Sequence, residues 1–229
     1  MLKKLFIVIM IMGFVPIKLS AQSIDELKDS ATQGDVESQY MLGQLYEKGD
    51  GVIQDYMVAV NWYRKAADEG LAKAQFALGL CYSKGRGVSQ SASDAAMWYR
   101  KAAEQGYAEA QHNLAICYYT GKGLSSNYAE AVKWLRKAAG QGLVNSQFNL
   151  AVCYFQGHGV TKDYKEATIW LRKAAEQGEV RAQYKLGECY LDGIGVTQNR
   201  AEAINWLKKA AAQDFNAAKI LLNDLGESW

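Results

Sequence analysis

A tryptophan recurs through the chain at a constant spacing of 36 residues. The five positions are Trp62, Trp98, Trp134, Trp170 and Trp206. A leucine series that begins at Leu42, a tyrosine series that begins at Tyr46 and an Ala-Ala series that begins at Ala66 follow the same step. A self-similar period of roughly 20–50 residues is the signature of a repeat architecture. The chain is therefore predicted to form one continuous array in which each unit packs only against its neighbours.

Glycines and capping residues divide each unit into two helices. In the second unit, helix A is predicted over residues 72–83 and ends at the turn Gly85-Arg86-Gly87, since glycine tolerates the left-handed conformation that ends a helix. Helix B then begins after a residue whose short polar side chain caps free amides. The predicted caps are Asp55, Ser91, Asn127, Asp163 and Asn199. With a half-unit before the array and a helix after it, we predict 12 helices, with the tryptophans of helix B in the core.

The first residues have the pattern of a secretory signal. Lys3 and Lys4 precede an apolar stretch from Leu5 to Ile17, and small residues up to Ala21 suit cleavage. An uncleaved anchor is the alternative, although about 13 apolar residues are fewer than the roughly 20 that a spanning helix needs. We expect an exported protein, periplasmic or extracellular, with no stable membrane insertion after cleavage. The predicted organisation is a signal peptide (1–21), a capping half-repeat (22–34), five repeats (35–216) and a capping helix with its tail (217–229).

The charge balance gives no reason to expect nucleic acid as a partner. Without Lys3, Lys4 and Lys18, which precede the predicted cleavage site, 23 basic residues balance 24 acidic residues. Nucleic-acid-binding domains instead carry a basic excess that is concentrated on one face.

The repeat unit resembles the Sel1-like repeat. Residues 74–106 and 110–142 carry almost completely its pattern Ala-x-Ala-Gln-x-x-Leu-Gly-x-x-Tyr, a Gly-x-Gly turn, and then Ala-x-x-Trp-x-x-Lys-Ala-Ala. The resemblance covers roughly residues 34–222. It implies an all-α fold, a right-handed α-solenoid of antiparallel helical hairpins, that serves as an adaptor or scaffold in protein complexes. Exported members include the Helicobacter cysteine-rich proteins, some of which are linked to penicillin binding, but this sequence lacks their paired cysteines.

Cysteines occupy one repeat position, immediately before the repeating tyrosine. They are Cys81, Cys117, Cys153 and Cys189. Equivalent positions of successive hairpins lie about 8–10 Å apart, whereas a disulfide needs Cα atoms within about 7 Å. We therefore predict small buried hydrophobic side chains, with a thiol ladder for metal or redox chemistry as the alternative.

No catalytic constellation, metal-ligand spacing or phosphate-binding loop occurs in the sequence, so we predict a protein that is not an enzyme and needs no cofactor. His112 occupies a helix A position held elsewhere by Tyr40 and Phe76, which predicts a ring that fills an aromatic slot. His158 lies inside a Gly-x-Gly turn and is predicted to be a solvated loop residue.

Comparison of the units separates two faces of helix A. One face barely changes, as at Gln39 and Leu42, and must pack against neighbouring helices. The other face varies and becomes apolar and aromatic in the central units, as at Ile116 and Tyr119. Aromatic anchors flanked by amides suit an extended peptide. The predicted partner-binding residues are Phe76, His112, Asn113, Ile116, Tyr119, Phe148, Asn149, Val152, Phe155 and Tyr184.

The alternative for the aromatic slot of Phe76, Phe148 and Tyr184 is burial between hairpins. The predicted function is a monomeric interaction module that binds an unidentified protein or peptide in a concave groove. Two alternatives stay open: an enzyme that acts on β-lactams or the cell wall, and a secreted effector that engages host proteins.

Overall fold

A computed structural model describes residues 21–229, and side chains from Ser23 onward. The predicted signal peptide therefore lies outside the described residues except for Ala21. This part of the chain contains helices and no strand, and the predicted number of 12 helices is confirmed. The helices are α1 (Ala21–Thr32), α2 (Val36–Lys48), α3 (Tyr56–Asp68), α4 (Ala72–Lys84), α5 (Ala92–Glu104), α6 (Ala108–Thr120), α7 (Tyr128–Gly140), α8 (Val144–Gln156), α9 (Tyr164–Glu176), α10 (Val180–Asp192), α11 (Arg200–Ala211) and α12 (Asn216–Asp224).

Each helix packs against the helix before it and the helix after it, which makes an all-α solenoid. Repeats 1 to 5 are the hairpins α2–α3, α4–α5, α6–α7, α8–α9 and α10–α11, in which the first helix is helix A and the second is helix B. Leucines of the helix A series form a continuous core and have no exposed surface: Leu42, Leu78, Leu114, Leu150, Leu186 and, in α12, Leu222.

The turn between the two helices of a repeat is fixed by local hydrogen bonds. In repeat 2, Gly85 has φ +68° and donates its amide to the carbonyl of Cys81, as a left-handed helix end requires. The amide of Ser91 donates to the carbonyl of Tyr82 at 3.0 Å. The Ser91 hydroxyl then accepts the amide of Asp94 and caps helix B. All five predicted caps of helix B are confirmed.

Successive repeats contact each other at the second glycine of each turn. A Cβ atom added to Gly159 would lie 2.7 Å from the amide nitrogen of Ala129 and still closer to the carbonyl oxygen of Tyr128. Gly87 and Gly123 approach the preceding helix B in the same way. The second glycine is therefore required by contact between repeats as well as by its positive φ.

A second contact between repeats is a ladder of glutamines. Gln111 is buried and donates to the carbonyl of Ala103 at 3.2 Å. Its Oε1 accepts a hydrogen bond from Gln141 at 2.8 Å, and Gln141 also donates to the carbonyl of Gly106. Repeat 1 has Glu69 at the position of Gln141, and the buried Oε1 of Gln39 has no hydrogen-bond partner among the described residues.

The tryptophans pack beneath lysine side chains. Trp98, Trp134 and Trp206 are buried, as predicted, whereas Trp62 and Trp170 are half-buried. In every repeat the lysine three residues further along helix B lies over the indole ring, with its Nζ 3.9–4.2 Å from the ring centroid. The ammonium group thus lies over the indole ring, as in a cation–π contact.

Candidate functional site

A small cavity opens on the face formed by the helices A of repeats 3 and 4. We call it the central cavity. Its volume is about 150 Å³, and it is lined by Ile116, Tyr119, Leu135, Asn149, Val152 and Cys153. Ile116, Tyr119, Asn149 and Val152 are four of the predicted partner-binding residues, so the structure brings these four together. Leu135 and Cys153, at 1% exposure each, form the floor of the cavity.

An aromatic cluster borders the central cavity. The Tyr119 hydroxyl lies 2.8 Å from Nδ1 of His158 and donates to Gln156 at 3.2 Å. The imidazole of His158 stacks on the ring of Tyr128, with centroids 4.8 Å apart and planes 15° apart. Burial raises the pKa of Tyr119, so its phenol stays protonated at neutral pH. His158 lies in a loop, as predicted, but it is half-buried and not simply solvated, because it contacts Tyr119 and Tyr128 of repeat 3.

The middle residue of the Gly-x-Gly turn forms different contacts in repeats 2 and 4. Arg86 lies over the ring of Tyr56 and within 3.8 Å of Glu47 in repeat 1. His158 meets two tyrosines of repeat 3 instead. The chemistry of this edge therefore changes from charged to aromatic along the array.

Phe155 follows Val152 by three residues in α8, does not line the cavity and is half-buried. Its ring contacts Tyr164 at a centroid distance of 5.8 Å. Asn113, one repeat before Asn149, takes part in an internal contact, because its side chain lies close to the phenol of Tyr99.

Rings in the aromatic slot of helix A lie between adjacent hairpins. Phe76 is half-buried and contacts Tyr107 at 5.2 Å, and Tyr184 contacts Phe215 at the same distance. The guanidinium of Arg181 lies 4.4 Å from the ring centroid of Phe148. These three predicted binding residues thus take part in packing between repeats and keep part of their surface exposed.

His112 also lies in this slot, as predicted, and reaches the next repeat. Its Nδ1 is 2.8 Å from the Ser146 hydroxyl, and burial lowers the pKa of the imidazole. A histidine beside a serine is one element of a nucleophilic site. However, Ser146 has 0% exposure, so no substrate reaches its hydroxyl, and the pair is a structural contact.

The four cysteines are buried free thiols, which agrees with the predicted small buried side chains. Burial raises the pKa of Cys153 and Cys189 to about 11 and that of Cys81 to about 12. A thiol with such a pKa holds little nucleophilic thiolate at neutral pH.

Two further searches concern metals and membranes. Within residues 21–229, no group of three or more His, Cys, Asp and Glu side chains is arranged to hold a metal ion. None of the described helices is both long enough and apolar enough to cross a bilayer.

Sequence reasoning missed the floor of the central cavity and the partners of His158. The floor has a signal in the sequence, because Leu135 replaces the tyrosine that repeats 1 and 2 carry at its position, Tyr63 and Tyr99. The stacking of His158 on Tyr128 depends on how the turn of one repeat meets the preceding helix B, which spacing alone does not reveal.

Known proteins carry the same repeat. A family model described as Sel1 repeat matches five consecutive segments, residues 36–71, 72–107, 108–143, 144–179 and 180–215. Comparison with curated proteins finds no match.

Solved structures agree with this match. The protective antigen c5321, present in uropathogenic Escherichia coli strains and displaying an SLR fold, is 40% identical with a TM-score of 0.86, over 88% of this chain and 43% of that chain. This chain thus spans less than half of the E. coli protein. A Sel1 repeat protein from Oxalobacter formigenes is 39% identical with a TM-score of 0.79, over 83% of this chain and 79% of that chain. A putative Sel1 repeat protein from Klebsiella pneumoniae, 22% identical with a TM-score of 0.53, covers 89% of this chain and 99% of its own and shares the fold. With five matched repeats in unbroken succession, the chain belongs to the Sel1 repeat family.

Proposed function

We propose that this protein is a non-catalytic interaction module outside the cytoplasm, and that it binds a peptide segment of a partner protein on the helix A face of repeats 3 and 4. Sel1 repeat proteins generally mediate protein–protein interaction and act as non-catalytic scaffolds. The observation that carries the proposal is the central cavity, because the residues that vary between repeats meet there around an open, mostly apolar space.

The chemistry of this face favours a peptide over a small polar substrate. Ile116 and Val152 offer apolar surface, Tyr119 supplies a ring beside them, and Phe155 supplies a second ring one helical turn after Val152. Aromatic residues of this kind dominate binding energy at protein interfaces. Asn149 supplies an amide that can pair with a peptide group.

Two features support a location outside the cytoplasm. The chain begins with the pattern of a secretory signal. The E. coli protein that is 40% identical is a protective antigen, a role that favours exposure of the related protein to the outside.

The test is a double substitution, Tyr119→Ala with Phe155→Ala, in a tagged full chain that is used to capture partners from the envelope fraction. We expect proteins that the wild type recovers to be lost, because both rings leave the binding face. A control variant, Met57→Ala with Met97→Ala, removes apolar side chains that are 65% and 44% exposed on α3 and α5, and should recover partners normally. Circular dichroism checks that both variants keep their helix content. Recovery of the same proteins by the Tyr119/Phe155 variant would contradict the proposal.

A further inference from the structure

Leu135, in the floor of the central cavity, occupies a repeat position that holds a tyrosine in repeats 1 and 2. Leu135 is equivalent to Tyr63 and Tyr99, which are 1% and 4% exposed. In repeat 1 the Tyr63 hydroxyl donates to Oε2 of Glu47 at 2.6 Å, so the ring spans from helix B to the outer edge of helix A. Leucine has a shorter side chain than tyrosine and therefore leaves the outer part of this space unfilled.

Two residues that line the central cavity correspond to the side chains that lie near the tyrosine hydroxyl in repeat 2. The Tyr99 phenol, whose pKa is raised by burial, lies close to the side chains of Ser83 and Asn113. One repeat further, these positions are Tyr119 and Asn149, and both line the cavity. The cavity is thus placed where the preceding junction holds a buried phenol.

A second pair of residues shows that the chain itself excludes this ring in repeat 3. A Cβ atom on Gly79 would lie 2.7 Å from the ring of Tyr99, so a tyrosine there needs glycine opposite. Repeat 3 has Ala115 at the position of Gly79 and Leu135 at that of Tyr99. The two differences occur together and leave space that none of the described side chains fills.

We infer that the central cavity binds the ring of one phenylalanine or tyrosine side chain of the partner protein, a step that rests on the proposed function. A dry apolar cavity of about 150 Å³ accommodates one benzene ring, and the central cavity has this volume. No residue that lines it carries a charge at neutral pH, so it offers no partner for a lysine or arginine side chain. Ile116 and Val152 contact the faces of the ring, and Asn149 accepts or donates a hydrogen bond if the ring is a phenol.

The test measures ring binding directly and needs no identified partner. p-Cresol and toluene, which are the side chains of tyrosine and phenylalanine, are titrated into the full chain while amide and methyl chemical shifts are recorded. For ligands of this size we expect a Kd on the order of 1 mM. Magnetisation transfer from the p-cresol ring to the methyl groups of Ile116, Leu135 and Val152 should locate it.

A matched pair of variants tests the position. Ala115→Gly with Leu135→Tyr rebuilds the arrangement of repeat 2 and should weaken p-cresol binding at least about tenfold, because the new ring fills the cavity. The control, Ala151→Gly with Leu171→Tyr, makes the same change in repeat 4 and should leave the Kd unchanged.

Three results would overturn the inference: no shift changes with p-cresol, transfer to methyl groups elsewhere, or unchanged binding in the filled variant. The transfer measurement uses the wild type, so it decides the question even if the filled variant fails to fold. Failure of ring binding together with loss of partner capture in the Tyr119/Phe155 variant would refute the aromatic anchor and leave the proposed function standing. Ring binding together with unchanged partner capture by the Tyr119/Phe155 variant would refute both, because the captured partner would then be bound away from the cavity.

Discussion

The second glycine of each turn makes a contact whose energy a single substitution can measure. Gly159 has φ +71°, and its Cα lies against the start of α7 in the preceding repeat. Gly157, two residues earlier, has φ +76°, and the nearest atom to an added Cβ is Cβ of Lys162 at 3.5 Å, an ordinary contact. Gly157→Ala is therefore a matched control: it carries the same conformational cost without the contact between repeats.

The expected magnitudes differ accordingly. An alanine in the left-handed region lowers the free energy of unfolding by about 1–2 kcal/mol, and both variants carry this cost. At Gly159 the new Cβ also lies 2.7 Å from the amide nitrogen of Ala129, and relieving such overpacking costs about 1–3 kcal/mol more. We expect the free energy of unfolding to fall by about 1–2 kcal/mol for Gly157→Ala and by about 2–5 kcal/mol for Gly159→Ala.

Urea unfolding followed by far-ultraviolet circular dichroism measures both values under the same conditions. Equal losses in the two variants would refute the reasoning, because the contact with the preceding repeat would then contribute nothing. A larger loss for Gly157→Ala would refute it more strongly.

Two further predictions concern polar contacts between repeats. Glu69→Gln should supply the missing donor to the buried Oε1 of Gln39 and raise the free energy of unfolding by about 1 kcal/mol. A thermal melt should show this as an increase of about 2–4 °C in Tm. An unchanged Tm would contradict the prediction. Burial lowers the pKa of His112 in the folded state, so protonation favours the unfolded chain, and stability should fall as the pH drops through the unfolded value of about 6.5. His112→Phe with Ser146→Ala introduces the residue pair that repeats 2 and 3 carry at these positions. This variant should reduce the slope of stability against pH, measured by thermal melts between about pH 5 and 8. An identical slope would refute the assignment of this pH dependence to His112.

The helices could be predicted from the sequence because each boundary is set by residues close together in the chain. Gly85 ends α4, and Ser91, six residues later, caps α5. Five copies of the same signals fix the period, and the period fixes the neighbours of every helix. These signals are local, so their prediction does not depend on the packing of side chains.

The central cavity could be predicted only in part, because its walls come from three different helices. The residue type at the repeat position of Ile116 and Val152 varies between repeats, and this variation predicts that the two residues lie on one face. Leu135 lies in helix B, and its effect depends on Ala115 across the hairpin and on Asn149 in the next repeat. A search for variable positions within helix A alone does not detect a coupled change of this kind.

The pairing of these positions also indicates how a uniform array acquires a distinct site. Repeats 1 and 2 combine glycine with tyrosine and repeats 3 and 4 combine alanine with leucine, whereas repeat 5 has Gly187 with Leu207. In the last case a Cβ on the glycine would lie 2.8 Å from Leu207, so the leucine has moved into the space that alanine holds elsewhere. The core leucines, the tryptophans and the Gly-x-Gly turns recur in every repeat and cannot distinguish one part of the surface from another. The proposed selectivity for a partner would therefore come from junctions where the packing pair changes. The junction of repeats 3 and 4 is one such place, with aromatic and amide side chains around an open cavity.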